Sequence, residues 1–261
     1  MKGWNTAGRA AAGILAAVVI SSCPGGIEES YPLLPVSGAG NGWDGGVCLM
    51  AEKVKAGDDG WLMLQNPELP NGCEVTSLAM ALAAAGYPAD KTALFTGYMP
   101  SEPFAVLDGV RYGPDPETAY AGDAASARGG WYCFEGPVME AGSRWLLEQG
   151  AGCHMARCTG LSQAALEGLL RRGISLIVWV TRDYAPPEYA DYFYWTLPDG
   201  SRYTPYNNLH CVLLAGEEGD GYQVADPLKG WQTVDKAAFW ESFDGMGRRA
   251  VMVAGGEWNR A

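Results

Sequence analysis

The segment from Ile174 to Thr181 constrains the fold of this chain more than any other part of the sequence. It reads ISLIVWVT, and such a nearly continuous β-branched and aromatic run is typical of a strand buried on both faces at the centre of a sheet. Residues 209–215 and 221–225 predict two further strands, joined by a turn of acidic residues and glycines. Residues 249–254 predict a closing strand. These patterns together predict an antiparallel sheet in the second half of the chain.

Helical spacing dominates several other segments, namely residues 73–86, 138–149, 162–172 and 236–243. The first of them consists of strong helix formers and ends at Gly86, with Pro88 beyond it, which is a typical helix stop. Residues 61–65 predict a short strand or an extended entry, and residues 99–132 predict a loop rich in glycine and proline. Helices packed on an antiparallel sheet predict an α+β fold, with one domain over residues 61–255.

The first 22 residues have the features of an export signal. Lys2 and Arg9 precede an apolar run that ends at Ile20, which is shorter than the roughly 20 residues needed to span a bilayer. Because Ile-Ser-Ser-Cys follows directly, resembling a bacterial lipobox, we expect lipidation at Cys23. An ordinary cleaved signal with a coincidental cysteine is the alternative. Residues 23–60 are rich in Gly, Pro, Ser and acidic residues and predict a flexible tether. The expected location is therefore the extracytoplasmic face of a bacterial membrane.

Charge and cysteine content exclude some classes of function. The formal net charge of −12, without a basic cluster, argues against nucleic-acid binding. Among seven cysteines, Cys153 and Cys158 are close enough in sequence to form a disulfide, and free thiols are the equally weighted alternative. His154 has no second Cys/His pair at zinc-ligand spacing, so we expect no metal site and no cofactor. The pairing of the other cysteines, Cys48, Cys133 and Cys211, is left open by the sequence.

Cys73 is the candidate nucleophile because it follows Asn-Gly at the start of a predicted helix. The positive end of the helix dipole favours a thiolate there and is expected to lower the thiol pKa. Of only two histidines, His210 begins a predicted strand, and Asp226 ends the next strand 16 residues later. Adjacent antiparallel strands can place these two side by side, so that the carboxylate orients the imidazole. Gln65, eight residues before Cys73, could donate its amide to an oxyanion.

The segment QNPELPNGCEVTSLAM, from Gln65 to Met80, strongly resembles the nucleophile motif of the peptidase C-thirty-nine-like group, which is related to the enzymes that process double-glycine bacteriocin leaders. Further stretches that fit are residues 129–133, 174–180, 209–212 and 225–230, so the resemblance covers residues 60–253. It implies a papain-like fold in which the helical part carries Cys73 as nucleophile and the antiparallel sheet carries His210 as base and Asp226 as orienting acid. Gln65 would be the oxyanion donor, although the matching residue in papain-like enzymes is usually nearer the cysteine.

The resemblance does not supply a substrate, because the bacteriocin exporters join this peptidase to a transporter and no Walker-type loop occurs here. We expect a lipid-anchored, monomeric cysteine peptidase that acts on a peptide or protein, with Gly72, Trp131 and Tyr132 along the substrate groove. One alternative is a non-catalytic module that binds an extended peptide. Another is a cell-wall amidase or transpeptidase that uses the same thiol.

Overall fold

The computed structural model of the chain describes residues 59–255. The predicted signal segment, the lipidation site Cys23, Cys48 and residues 23–58 of the predicted tether therefore lie outside the described residues. Within residues 59–255, no helix is both long enough and apolar enough to cross a bilayer.

Between residues 59 and 255, five α-helices and twelve strands follow a short 3-10 turn at Asp59–Trp61. The helices are α1 (Cys73–Ala84), α2 (Lys91–Gly97), α3 (Glu135–Glu148), α4 (Gln163–Arg171) and α5 (Lys236–Gly245). The strands are β1 (Ser101–Glu102), β2 (Ala105–Leu107), β3 (Val110–Tyr112), β4 (Tyr120–Ala121), β5 (Cys153–Arg157), β6 (Leu176–Thr181), β7 (Trp195–Thr196), β8 (Arg202–Tyr203), β9 (Leu209–Glu218), β10 (Gly221–Asp226), β11 (Gly230–Asp235) and β12 (Ala250–Gly255).

The main sheet has six antiparallel strands in the order β11-β10-β9-β6-β12-β5. All six residues of β6 are buried, so the prediction of a central buried strand is confirmed. Side chains of α1 and α3 pack with one face of the sheet, whereas side chains of α4 and α5 pack with the other. The predicted α+β class is therefore confirmed, with the helix that begins at Cys73 lying on an antiparallel sheet.

Helix α1 is buried on all sides. Most of its side chains are apolar, the exceptions being Glu74, Thr76 and Ser77, and Ala83 is its only residue that is not buried. A helix of this kind belongs in a protein core rather than on its surface. Thr76 Oγ1 has no hydrogen-bond partner among the described residues, whereas Ser77 Oγ donates to the carbonyl oxygen of Cys211 in β9 over 3.2 Å. This contact places the first turns of α1 against the beginning of β9.

Strand β5, which contains His154, lies outside the helices and strands that the sequence predicts. The segment CHMAR lacks β-branched residues, but pairing with β12 makes it an edge strand, which is a tertiary effect that overrides local propensity. The open question about Cys153 and Cys158 is also answered, because both are thiols. An extended strand separates their Cα atoms by roughly 16 Å, well beyond the span of about 7 Å that a disulfide can bridge.

The predicted loop at residues 99–132 and the segment at residues 183–207 contain several short strands. Four of these form a small sheet in the order β2-β3-β7-β8. Trp195 of this sheet is fully buried and donates its indole N–H to the carbonyl oxygen of Pro114 over 2.8 Å. Its ring also lies 6.4 Å from that of Trp131. The small sheet is therefore packed against the segment that leads into α3.

Candidate active site

The turn that carries Cys73 is formed by close backbone contacts. Gly72 precedes α1 and donates its N–H to the carbonyl oxygen of Leu69 over 2.8 Å. A Cβ atom at position 72 would lie only 2.6 Å from Cβ of Leu69, so the turn requires glycine. Cys73 is then the first helical residue, a position whose N–H has no acceptor within the helix.

Asn71 anchors the same turn to the segment between β4 and Trp131. Its backbone N–H donates to the carbonyl oxygen of Ala124 over 3.1 Å, and its side-chain amide donates to that of Ser126 over 2.7 Å. The hydroxyl of Tyr120 donates to the Asn71 carbonyl oxygen over 2.7 Å. Three hydrogen bonds from remote parts of the chain therefore fix the backbone just before Cys73.

His210 and Asp226 form a buried pair at the start of β9 and the end of β10. The distance from His210 Nε2 to Asp226 Oδ1 is 2.9 Å, and the two residues are 4 % and 3 % exposed. Burial by itself would raise the pKa of Asp226, but the hydrogen bond from His210, the imidazolium charge and the Leu228 N–H hold that pKa below its usual value of 3.8. Because the carboxylate takes Nε2, Nδ1 is the ring nitrogen left to accept a proton.

The backbone of Cys211 connects Cys73 to this pair, because Cys211 directly follows His210 and contacts the Cys73 sulfur. The Cys211 N–H faces the Cys73 sulfur and lowers its pKa somewhat, and Ser77 of the same helix contacts the Cys211 carbonyl. The thiol itself donates to Glu74 Oε2 over 3.3 Å. In the described part of the chain no hydrogen bond joins Cys73 to His210.

The thiol of Cys73 does not have the lowered pKa expected from a helix start. Burial, foremost, and then the charge of Glu74 raise the pKa of Cys73 well above its usual value. Only 8 % of the residue is exposed, and the loss of hydration outweighs the helix dipole. The sequence-based expectation of a low thiol pKa is therefore wrong for this conformation.

Glu74 is a residue of the site that the sequence reasoning missed. Its Oε2 accepts from Cys73, and its Oε1 accepts from the backbone N–H of Cys133 over 3.2 Å. Glu74 is the only charged residue in the otherwise apolar and buried helix α1. A single carboxylate next to a candidate nucleophile in such a helix is a signal that could have identified it from the sequence.

Gln65 lies eight residues before Cys73, in a loop that folds back toward the turn before Cys73. The Leu69 N–H donates to the Gln65 carbonyl oxygen over 2.9 Å, and Gln65 Nε2 donates to the Pro70 carbonyl oxygen over 2.6 Å. The Gln65 N–H also donates to the carbonyl oxygen of Pro227 over 2.8 Å, directly after Asp226. Gln65 is thus buried between the nucleophile turn and the turn that carries Asp226.

Trp131 and Tyr132, the two predicted groove residues, have different environments. Trp131 is half-buried, and its ring centre lies 4.8 Å from that of Phe193. Tyr132 is only 2 % exposed, and its hydroxyl lies 3.0 Å from that of Tyr203 and accepts the backbone N–H of Tyr206 over 2.8 Å. Tyr132 therefore holds the 189–206 segment in place, and Trp131 is the more accessible of the two.

The fold places a buried cysteine at the start of an N-terminal helix and a histidine–carboxylate pair on neighbouring strands of the antiparallel sheet. These are the residue types that a thiol hydrolase requires. The chain belongs to the Peptidase_C39 like family, whose profile matches residues 61–251.

Individual proteins show the same similarity. The uncharacterized protein YvpB of Bacillus subtilis (strain 168) is 30 % identical over 189 residues, which cover 72 % of this chain and 70 % of YvpB. The crystal structure of a C39-like peptidase from Bacillus anthracis is 27 % identical with a TM-score of 0.64, and the match covers 76 % of this chain and 95 % of that one. A double glycine motif protease from an AMS/PCAT transporter, solved with its leader peptide, matches at 16 % identity and a TM-score of 0.40. The match covers 74 % of this chain and 90 % of that one.

Proposed function

We propose that this protein is a cysteine peptidase with a papain-like arrangement, in which Cys73 is the nucleophile, His210 the base and Asp226 the residue that orients the base. The observation that carries the proposal is the buried 2.9 Å contact between His210 and Asp226, next to the strand residue whose N–H faces the Cys73 sulfur. Family membership supports the same chemistry. The substrate class is a peptide or protein.

In the reaction, Nδ1 of His210 takes the proton of the Cys73 thiol, and the sulfur attacks the carbonyl carbon of the scissile amide. The resulting oxyanion accepts a hydrogen bond from the Cys73 N–H, which has no partner in the helix, and from the Gln65 amide. Imidazolium then donates its proton to the leaving amine, and the thioester is hydrolysed by water. Asp226 stabilises the imidazolium in both steps.

The test is a digestion of a peptide library by the full chain, with mass spectrometry to find new termini. We expect cleavage at a restricted set of sites, abolished by prior treatment with iodoacetamide that modifies Cys73. A parallel digestion of peptidoglycan fragments separates peptidase activity from cell-wall amide hydrolysis. Rapid labelling of Cys73 without cleavage of either substrate would favour the non-catalytic binding module and reject the peptidase.

We also propose that the protein is a lipoprotein on the extracytoplasmic face of the membrane. The support is the sequence alone, an apolar run followed by Ile-Ser-Ser-Cys at Cys23. In a bacterial host, an alkyne-labelled fatty acid should be incorporated into the wild type and not into Cys23→Ser. Equal incorporation in both would contradict the proposal, and Cys48→Ser is the matched control because it changes a cysteine outside the lipobox.

A further inference from the structure

The Glu74 carboxyl group is fully enclosed by protein, with 0 % exposure. It accepts hydrogen bonds from its own backbone N–H, the Cys73 thiol and the Cys133 N–H. Among residues 59–255, no lysine or arginine forms an ion pair with it. A buried carboxylate without a cation is costly, so burial raises the pKa of Glu74 from 4.5 to about 7.

The titratable groups that face Glu74 come from every element packed around it. They are Cys73 of α1, Tyr120 of β4, Cys133 in front of α3 and Cys211 of β9. Burial raises the pKa of each, and the charge of Glu74 raises it further. All four are neutral at physiological pH, so none of them offsets a negative charge on Glu74. Arg249, whose guanidinium lies over the ring of Phe134, the residue after Cys133, is paired with Glu117 and Glu135 instead.

We propose that Glu74 is a positioning residue that holds Cys73 as a neutral thiol in the resting site, and that neutralisation of Glu74 frees the thiol to ionise toward His210. This rests on the proposed role of Cys73 as nucleophile. An ionised carboxylate can only accept, so it fixes the S–H bond toward Glu74. A carboxyl group that has taken up a proton from solvent can instead donate to the sulfur, and this stabilises the thiolate after the thiol's own proton has moved to Nδ1 of His210. The hydrogen bond between the two side chains thus reverses its direction.

The geometry allows this reversal without a rearrangement of the core. The Cys133 N–H holds Oε1, and the Cys133 carbonyl oxygen is in turn held by the indole N–H of Trp179 over 2.9 Å. The carboxyl group is therefore fixed in place whichever atom carries the proton. Only Oε2 changes its role, from acceptor to donor.

The experiment measures the rate of Cys73 alkylation by iodoacetamide between pH 5 and 10, with the labelled peptide identified by mass spectrometry. Glu74→Gln should lower the apparent thiol pKa and increase the rate at pH 7 by about tenfold or more, equivalent to about one pKa unit, because the amide can donate to the thiolate and carries no charge. Glu140→Gln on the exposed face of α3 is the matched control and should follow the wild-type profile. Coincident profiles for wild type and Glu74→Gln would overturn the proposal.

A second measurement applies if the alkylation of Cys73 is too slow to follow. The folded-state pKa of Glu74 lies above its unfolded value, so the cost of its charge is absent below about pH 4.5 and complete above about pH 7. Glu74→Gln should therefore raise the melting temperature relative to wild type more at pH 8.5 than at pH 5. An equal difference at both pH values would also overturn the proposal.

Neither measurement depends on peptide hydrolysis. A protein without peptidase activity whose thiol profile still responds to Glu74→Gln would contradict the proposed function and leave this inference standing. If the protein cleaves peptides but its thiol profile is the same in Glu74→Gln as in the wild type, the proposed function stands and this inference is contradicted.

Discussion

Replacement of Cys73 by alanine is expected to reduce kcat/KM for peptide cleavage by about 10³-fold or more, because the variant has no atom that can form the thioester. Binding and oxyanion contacts remain, so any residual rate comes from them alone. The measurement is the steady-state hydrolysis of the best peptide from the library digestion, with the wild type measured in parallel.

The matched control is Cys158→Ala. Cys158 is also a buried thiol, but it belongs to the core cluster that α4 and α5 form with the other face of the sheet. It should retain wild-type hydrolysis and show a similar change in melting temperature, since each variant loses one buried sulfur. Cleavage by Cys73→Ala at the wild-type rate would remove Cys73 as the nucleophile.

Replacement of Asp226 by asparagine is expected to lower kcat by roughly 10²- to 10⁴-fold with little change in KM. An amide cannot stabilise the imidazolium, and if it donates to Nε2 it forces the ring proton onto Nδ1, the nitrogen that must accept the thiol proton. The His210 ring and the Leu228 N–H contact the same oxygen, Oδ1, so an asparagine that keeps its oxygen in this place retains the turn after β10 and loses only the charge. Steady-state kinetics on the same peptide provide the measurement.

Asp183→Asn is the control for the loss of a nearby negative charge. Asp183 is exposed and pairs with Lys229 in the same turn region, but it does not contact His210. Its activity should match that of the wild type. A loss in Asp183→Asn as large as that in Asp226→Asn would show that general electrostatics, rather than orientation of the imidazole, accounts for the effect.

The pH dependence of stability provides a separate check on Asp226. Its folded-state pKa is lower than the usual 3.8, so its stabilising contribution is present above that value and is lost as the pH falls through the folded pKa. The difference in melting temperature between wild type and Asp226→Asn should therefore shrink in acid. The two residues differ in sign, because the charge of Asp226 stabilises the folded state whereas the charge of Glu74 destabilises it.

Much of the fold could be predicted because local pattern and tertiary role agree. The run that forms β6 is apolar because the strand is covered on both faces, and α1 is mostly apolar because it is enclosed. The 16-residue spacing of His210 and Asp226 predicted their contact, since one hairpin connects the two strands. Their catalytic roles stay predictions until kinetics are measured.

Other features depend on long-range contacts that no local pattern encodes. Strand β5 forms because it pairs with β12, and strand β11 forms because it pairs with β10. The raised pKa of the Cys73 thiol results from enclosure and from the direction in which the Glu74 side chain points. Helix position alone predicted the opposite sign, because the dipole is visible in the sequence whereas the depth of burial is not.

The contact between Ser77 and Cys211 joins residues 134 positions apart. Ribosomes add residues from the N-terminus, so the nucleophile turn is synthesised long before β9 and β10 exist. A nascent chain that has not yet reached His210 contains Cys73 without its proposed base. The two halves of the candidate site therefore meet only after most of the domain has been made.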